Sequence, residues 1–288
     1  MIPEPRQVAV DGKTVGVYEY GDPSGQPVMV FHGVPACGAG FGFADEPARE
    51  RGLRLIAPDR PGVGLSTPSD GWTVGSYPSM VTALADALDI DRFAVWGYSG
   101  GGPFAVACAA AGGERVTRTA VSAGMGQVGV WAEDDDFEKT DRQMLVMSRK
   151  RPALARTMMA VGARLARMSP KSATKSFAKQ VSESDRAVID TMGTPAEVMA
   201  LFTQAFLRGA RGVIDDYRAI GQPWGVDLSA IRAPMRVFQG DDDPMVPPRH
   251  SEELANRVQG AELVMWPGEG HLATITHVAE ILDWLAAT

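Results

Sequence analysis

The sequence has little cysteine, little histidine, no surplus of positive charge and no long apolar run. Two cysteines among 288 residues, Cys37 and Cys108, are too few for a disulfide framework and are typical of reduced thiols in a cytoplasmic protein. The four histidines show no close pairing with cysteine, which argues against a structural zinc site. A net charge of −7 argues against nucleic acid as a partner, because nucleic-acid-binding proteins usually carry a basic surplus.

The sequence shows no pattern typical of a membrane span or of an export signal. No apolar run approaches membrane-spanning length, so we expect no membrane span. The first ten residues contain Glu4 and Arg6 and no apolar signal-peptide core, which favours a cytoplasmic location. With 45% hydrophobic residues, the chain can bury a large core, as one domain or as a domain with an insertion.

Short apolar runs alternate with helical patterns over the first 125 residues. Asp11-Gly12 separates two strand-like segments and predicts a tight hairpin. Runs typical of strands buried on both faces follow at residues 27–31, 53–57, 93–96 and 116–122. This alternation predicts an α/β fold, in which right-handed crossovers place helices on both faces of a parallel sheet.

From Gly126 to about Pro223 the sequence shows helical patterns and no convincing strand. One helical face in this stretch consists of Leu154, Met158, Val161 and Leu165. Strand-like runs return at residues 235–239 and 261–266, each followed by a helical pattern. We therefore predict an α/β core of residues 1–125 and 225–288, interrupted by an all-helical insertion of residues 126–224.

Ser99 lies at the apex of the turn Gly97-Tyr98-Ser99-Gly100-Gly101, between a strand-like run and a helix of small residues. Such an abrupt turn strains the backbone of its apical residue and needs small neighbours, because the strand and helix backbones nearly touch. The Gly100 N–H then lies at a helix N-terminus, where it can stabilise negative charge. Ser99 is therefore a candidate nucleophile.

A serine hydroxyl needs a base to accept its proton, and elimination favours His271. His32 ends a strand, His250 begins a polar helix and is expected at the surface, and His277 falls inside a predicted helix. His271 alone lies in a Gly-rich loop just beyond the C-terminal end of a strand. Sites in open α/β sheets collect at that edge.

The acid that orients this histidine is predicted in the segment Gly240-Asp241-Asp242-Asp243-Pro244, which follows a strand. Three consecutive carboxylates cannot all face one imidazole. We choose Asp243, which is furthest from the strand and held by Pro244. Asp241 and Asp242 more often form turns with their own backbone, and Asp242 stays open as the alternative acid.

In the order Ser99, Asp243, His271, the chain resembles the α/β-hydrolase fold superfamily, in particular serine esterases with a helical cap. The motifs that carry the resemblance are the Ser99 turn, His32-Gly33-Val34-Pro35, the segment 59–66, and the loops of Asp243 and His271. The resemblance implies a mostly parallel eight-stranded sheet with helices on both faces. It also implies that the all-helical insertion is a cap covering the site.

The resemblance further implies a role for each site residue. Ser99 would attack an acyl carbonyl, His271 would act as general base and then general acid, and Asp243 would orient the imidazole. The N–H groups of Val34 and Gly100 would hold the oxyanion. The segment 59–66 would support the site from behind.

The expected substrate is a small or moderately sized apolar carboxylic ester, cleaved without a cofactor or a metal. The methionine-rich cap suits varied apolar groups, although packing explains most of its methionines. The candidate substrate-binding residues are Tyr98, Trp131, Met144, Phe202 and Phe206. Cys37 follows the Val34 loop and is expected to be buried and inert. Lactonases, thioesterases, carbon–carbon bond hydrolases, acyltransferases and cofactor-free haloperoxidases share the motifs, and a non-catalytic ligand-binding protein is the alternative of another class.

One charged segment of the predicted cap has two interpretations. Residues 142–182 contain Arg and Lys but no Asp or Glu, and they directly follow the acidic run Glu133-Asp134-Asp135-Asp136. The basic residues could form a solvated face paired with that run. They could also attract anionic substrates towards the cap.

Overall fold

The computed structural model describes residues 4–287, which form one sheet of eight strands with helices packed on it. Residues 1–3 and 288, assigned to the predicted core, lie outside the described residues. The strands are β1 (Arg6–Val10), β2 (Lys13–Gly21), β3 (Gln26–Phe31), β4 (Leu53–Pro58), β5 (Phe93–Tyr98), β6 (Val116–Ser122), β7 (Met235–Gly240) and β8 (Glu262–Trp266). Their order is β1-β2-β4-β3-β5-β6-β7-β8, and only the pairs β1–β2 and β2–β4 are antiparallel. The predicted mostly parallel eight-stranded sheet is confirmed.

Local sequence explains the first hairpin and the central strands. Asp11 and Gly12 both have positive φ, at 48° and 74°, and Val10 pairs with Lys13 across this two-residue loop. That geometry matches the turn type that Asp-Gly favours between antiparallel strands. The four residues 28–31 of β3 are all fully buried, as expected where helices cover both faces of a parallel sheet.

The helices fall into two groups. Those that pack around the sheet are α1 (Asp45–Glu50), α2 (Tyr77–Ala87), α3 (Gly102–Ala111), α10 (Arg249–Arg257), α11 (Ala273–Thr276) and α12 (Val278–Ala286). Six more lie between β6 and β7: α4 (Lys139–Lys150), α5 (Pro152–Met168), α6 (Pro170–Phe177), α7 (Glu183–Thr191), α8 (Pro195–Thr203) and α9 (Arg211–Ile220). The predicted all-helical insertion is therefore present, and we call α4–α9 the cap. Its limits at residues 126 and 224 stay a prediction.

Three details of the helices differ from expectation or add to it. The predicted helix around His277 is divided into α11 and α12, with His277 between them stacked on Trp266 at 4.6 Å. The face of Leu154, Met158, Val161 and Leu165 on α5 points to solvent and away from the core. Within residues 4–287, no helix is both long and apolar enough to cross a membrane.

Arg60 joins the core to the cap from a fully buried position just after β4. Its guanidinium donates to the carbonyl oxygens of His32, at 2.5 Å, and Gly33, at 3.0 Å. The same group forms an ion pair at 2.8 Å with Asp216 of α9. Arg60 therefore holds both the loop that precedes Val34 and a cap helix, which is the supporting role expected for the segment 59–66.

The turn after β5 leaves no room for side chains at Gly97, Gly101 and Gly102. A Cβ atom at Gly101 would overlap the carbonyl oxygen of Phe31, and one at Gly97 would overlap the carbonyl oxygen of Gly101. Gly102 packs against Gly124, where a Cβ atom would lie 2.9 Å from the neighbouring Cα. Strand β5, helix α3 and the end of β3 can approach this closely only because these positions carry glycine.

This close packing predicts how substitutions of these glycines change the free energy of unfolding. We expect Gly101→Ala to lower the free energy of unfolding by about 2–3 kcal/mol, because the added methyl group displaces backbone that cannot yield. Gly162→Ala on α5 is the matched control, since nothing lies within 4 Å of a Cβ there. In a helix it should raise the free energy by about 0.5–1 kcal/mol. Urea denaturation measures both, and equal effects of the same sign would contradict the packing argument.

Candidate active site

Ser99, His271 and Asp243 meet at the C-terminal edge of the sheet. The distance from Ser99 Oγ to His271 Nε2 is 3.0 Å, and His271 Nδ1 lies 2.8 Å from Asp243 Oδ2. All three residues are buried. Ser99 follows β5, Asp243 follows β7 and His271 follows β8, so three parallel strands deliver the side chains to one place.

Ser99 has the strained backbone expected at the apex of its turn. Its φ of 55° lies in the left-handed region, which non-glycine residues adopt rarely. Its carbonyl oxygen accepts a hydrogen bond from the Met125 amide at 3.1 Å. A Cβ atom at Gly33 would lie 3.2 Å from Ser99 Cβ, so the loop after β3 passes directly beside the serine.

Asp243, and not Asp242, faces His271. Asp242 is exposed, whereas Asp243 is buried with both carboxylate oxygens engaged. Its Oδ1 accepts the amides of Met245, at 2.8 Å, and Val246, at 3.0 Å. Its Oδ2 is the oxygen that faces His271. The contacts within its own loop therefore fix the carboxylate independently of its contact with His271.

A glutamine from β7 supports Asp243, and sequence reasoning missed it. Gln239 is buried and its Nε2 donates to Asp243 Oδ2 at 3.0 Å. Gln239 Oε1 accepts in turn from the hydroxyl of Ser251 on α10 at 2.7 Å. The signal was available as a polar residue inside an apolar strand, where a buried amide needs partners.

The surroundings of His271 favour its protonated form. Burial alone would lower the pKa of the imidazole, but the charge and hydrogen bond of Asp243 oppose that effect. Asp185 and Asp141, both from the cap, add negative charge in the same direction. The net result is a His271 pKa raised above its ordinary value of 6.5.

Val34 and Gly100 face one another beside Ser99. A Cβ atom at Gly100 would lie 3.1 Å from the Val34 nitrogen, so only glycine leaves the space between these positions open. Within the described part of the chain, the Val34 amide donates to no acceptor. Ile220 of α9 also reaches this point, with Cδ1 3.3 Å from the position of that Cβ atom. An apolar cap residue therefore borders the two amides.

Asp185 of the cap holds the backbone of the His271 loop, and nothing in the sequence pointed to it. It is buried at the start of α7, where it pairs with Ser182 in a capping box. Its Oδ2 accepts the amide of His271 at 3.0 Å, and its Oδ1 accepts the amide of Leu272 at 2.6 Å. From the other side, the Tyr98 hydroxyl donates to the His271 carbonyl at 3.2 Å.

The predicted substrate-binding residues occupy different surroundings. Tyr98 packs its ring 5.4 Å from the His271 ring, so it borders the site. Trp131 packs edge to face on Trp224 and under the Arg257 guanidinium, and neither neighbour belongs to the triad. Met144 is buried in α4, and Phe202 and Phe206 pack on each other with ring centroids 6.3 Å apart. Substrate contact stays a prediction for all five residues, and of the five only Tyr98 has a contact with His271 that supports it.

His250 is buried, so its expected surface position is wrong. The start of the insertion folds over α10, and the His250 ring accepts the Gly126 amide at 3.3 Å while facing Asp136 at 3.2 Å. Burial, followed by the charge of Arg249, lowers the pKa of His250 to about 4. Cys37 is buried as expected, and burial raises the pKa of its thiol. No cluster of three His, Cys, Asp or Glu side chains among residues 4–287 is placed to hold a metal ion.

The arrangement can perform proton transfer and nucleophilic attack. A serine oxygen lies within hydrogen-bonding distance of one imidazole nitrogen, and a carboxylate engages the other nitrogen. That order of groups is what activates an alcohol for attack on an acyl carbon. That Val34 and Gly100 hold the oxyanion stays a prediction.

Comparison with known proteins places the chain among hydrolases of one fold. The family described as alpha/beta hydrolase fold matches residues 26–278. The chain is 28% identical over 281 residues to a non-heme chloroperoxidase from Streptomyces lividans, covering 95% of this chain and 94% of the relative. It is 24% identical over 267 residues to an uncharacterised hydrolase from Bacillus subtilis, covering 92% and 90%.

A solved structure agrees with this assignment at the level of the fold. An esterase from Exiguobacterium antarcticum superposes with a TM-score of 0.70 at 17% identity, covering 97% of each chain. The family match extends from the start of β3 into α12 and includes the cap, Ser99, Asp243 and His271. The chain therefore belongs to the alpha/beta hydrolase fold family.

Proposed function

We propose that the protein is a serine hydrolase that cleaves carboxylic esters of small to medium apolar compounds. The observation that carries this proposal is the continuous hydrogen-bonded order of Ser99, His271 and Asp243, with spacings of 3.0 Å and 2.8 Å. Ser99 is the nucleophile, His271 the general base and Asp243 the residue that orients the imidazole. The N–H groups of Val34 and Gly100 stabilise the oxyanion.

The reaction proceeds through an acyl-enzyme. His271 accepts the Ser99 proton as Oγ attacks the ester carbonyl, and it then returns that proton to the leaving alcohol. Water, deprotonated by the same imidazole, attacks the acyl carbon and releases the acid and free Ser99. Asp243 stabilises the imidazolium that forms in each half of the reaction.

Two observations support apolar esters as the substrate class. Val34 and Ile220 put aliphatic carbon next to the two amide donors, where the acyl group of a substrate would lie. The carboxylates of Asp141, Asp185 and Asp243 surround His271, so an anionic acyl group would meet negative charge. The structural likeness to an esterase agrees with this choice.

The similarity to a non-heme chloroperoxidase favours a second activity of the same acyl-enzyme. If hydrogen peroxide replaces water in deacylation, its oxygen attacks the acyl carbon and releases a peracid together with free Ser99. The peracid then transfers its terminal oxygen to a halide ion in solution, with uptake of one proton, and gives hypohalous acid and the carboxylic acid. This activity requires no group beyond those proposed for ester hydrolysis.

Replacing the nucleophile tests the proposal directly. We expect Ser99→Ala to lower kcat/KM for p-nitrophenyl esters by at least about 10³-fold, because the nucleophilic oxygen is gone. Ser79→Ala, on the exposed side of α2, is the matched control and should retain full activity. A fluorophosphonate probe should label the wild type and Ser79→Ala but not Ser99→Ala. If all three proteins hydrolysed the esters equally slowly, the proposed serine hydrolase activity would be refuted.

The raised pKa of His271 predicts the pH dependence of hydrolysis. Only the neutral imidazole accepts the serine proton, so activity should be lost as pH falls through the histidine pKa. We expect kcat/KM for p-nitrophenyl butyrate to decline with an apparent pKa above 6.5. Asp243→Asn should move this limb to lower pH and reduce kcat by about 10³–10⁴-fold. A wild-type limb below 6.5 would contradict the electrostatics of the site.

A further inference from the structure

The outer face of cap helix α5 is a continuous apolar stripe. Seven large apolar side chains among residues 4–287 are substantially exposed, and five of them lie on this one helix. They are Leu154, Met158, Val161, Leu165 and Met168, with exposures from 37% to 68%. Their spacing of four and three residues puts them in one line along the helix, which we call the α5 stripe. Such a concentration differs from the single exposed apolar residues of an ordinary surface.

The opposite face of α5 already has its packing partners. Ala155 and Ala163 are buried, and Met159 packs on the main apolar core. Arg156, on the same side, forms an ion pair with Asp215 of α9. The orientation of the helix is thus determined by contacts within the cap, and the α5 stripe is left outside.

Basic residues without an ion-pair partner among the described residues lie just before α5, on α5 and on the following helix α6. Within residues 142–182, the acidic run before the cap pairs only with Arg142, through Asp135, and with Arg149, through Asp134, while Asp136 pairs with Arg249 of α10. No carboxylate in the described chain forms an ion pair with Lys150, Arg151, Arg164, Arg167, Lys171 or Lys175. Residues 142–182 contain no Asp or Glu to compensate them. The result is an apolar line flanked by cations on a protein whose net charge is −7.

This combination fits an anionic lipid surface better than a second copy of the chain. A two-fold contact between α5 stripes would bring two uncompensated basic surfaces together, and like charges would oppose it. A bilayer with anionic headgroups offers negative charge to the cations and acyl chains to the apolar line. The 17 residues of α5, about 25 Å long, suit a helix that lies in the plane of the interface.

We propose that the α5 stripe and its flanking cations dock the cap on anionic phospholipid bilayers. The helix lies on the membrane and does not cross it. Apolar side chains enter the boundary between headgroups and acyl chains, while Lys and Arg contact the anionic headgroups. The docking uses no group of the candidate active site, so it can be tested in the absence of any ester.

Vesicle sedimentation of the full chain tests this docking. We expect binding to vesicles of phosphatidylglycerol mixed with phosphatidylcholine, little binding to phosphatidylcholine alone, and loss of binding at high salt. Val161→Ser/Leu165→Ser should weaken partition at least about tenfold. Lys171→Gln/Lys175→Gln should weaken it about fivefold for each charge removed. Because all four side chains are exposed, the variants should fold normally.

Matched controls separate this surface from general stickiness. Val130→Ser/Leu207→Ser removes two apolar side chains of similar exposure outside the stripe. Lys13→Gln removes an exposed cation on β2, far along the chain from the cap. Both should bind like the wild type. The proposal is overturned if the wild type ignores anionic vesicles at low salt, or if the controls weaken binding equally. A dimer in sedimentation equilibrium that Val161→Ser/Leu165→Ser dissolves, with no vesicle binding, would assign the stripe to a second copy.

A second, independent observation concerns Asp185, whose carboxylate receives two consecutive backbone amides of the His271 loop. The packing there is tight, because a Cβ atom at Gly270 would overlap Asp185 and Ser182. The contact joins cap helix α7 to the base of the proposed reaction. We infer that Asp185 is a positioning residue, by which the cap fixes the place of His271. This inference rests on the proposed function.

The charged and titratable groups around His271 define what the test must control. Asp243 contacts the ring from the β7 loop, Asp185 of α7 and Asp141 of α4 add negative charge near it, and the Tyr98 hydroxyl lies on the backbone side. Asp185→Asn keeps the size of the side chain but loses the charge and presents an NH₂ group to one amide. We expect kcat to fall about ten- to hundredfold with little change in KM. The imidazole pKa, measured by NMR, should fall as well.

Two variants on α7 distinguish positioning from helix stability. Asp190→Asn removes an exposed charge and should change neither kcat nor the His271 pKa. Ser182→Ala removes the hydroxyl that caps the N-terminus of α7 but keeps Asp185 against the loop. The inference fails if Asp185→Asn leaves both kcat and the His271 pKa unchanged, or if Ser182→Ala reproduces both effects. If the wild type hydrolyses no ester, the proposed function fails instead, and the NMR titration still tests the contact.

Discussion

The structure depends on a close approach of backbones that only glycine permits. Gly97, Gly101 and Gly102 allow β5 and α3 to lie against the end of β3 and the segment after β6. This contact forces Ser99 into its positive φ and brings the loop of Val34 beside it. The position of the serine and the position of the facing amides are therefore two results of one packing constraint, and neither can change without the other.

The cap is joined to the core at the points where the site is built. Asp216 of α9 meets Arg60, which in turn holds the carbonyl groups of residues 32 and 33. Asp185 of α7 holds the loop of His271. Separating either pair would leave a buried charge or buried amides without a partner, at a cost of several kcal/mol. Lifting the whole cap from the core is therefore costly.

Local patterns in the sequence predict much of this molecule. The Asp11-Gly12 hairpin, the buried strands and the turn of Ser99 depend on neighbouring residues, so periodicity and turn chemistry suffice to find them. The place of His271 follows from the rule that parallel strands end at one edge. The sequence favoured Asp243 over Asp242 but could not exclude Asp242. The position of Asp243 is fixed by the amides of Met245 and Val246, which donate to its carboxylate.

Contacts between distant parts of the chain could not be predicted from the sequence. The pairing of Asp185 with His271 spans 86 positions, and no periodicity encodes such a pair. The apolar spacing on α5 predicted the helix correctly. It did not predict that this apolar face is exposed to solvent, because helical spacing alone does not show whether a face is buried. His250 was placed at the surface by its polar neighbours, whereas the start of the insertion covers it.

The burial of His250 links folding to proton release. With a pKa of about 4 in the native chain, against 6.5 for an unperturbed histidine, the ring stays neutral in the folded state where the unfolded chain would be protonated. Folding between these two pH values therefore expels a proton from the ring. The free energy of unfolding is unaffected by this histidine above pH 6.5, the pKa of the unfolded chain. It decreases as the pH falls from there towards about 4, the pKa of the folded chain. The junction between the insertion and α10 thus becomes a place where mild acid weakens the molecule.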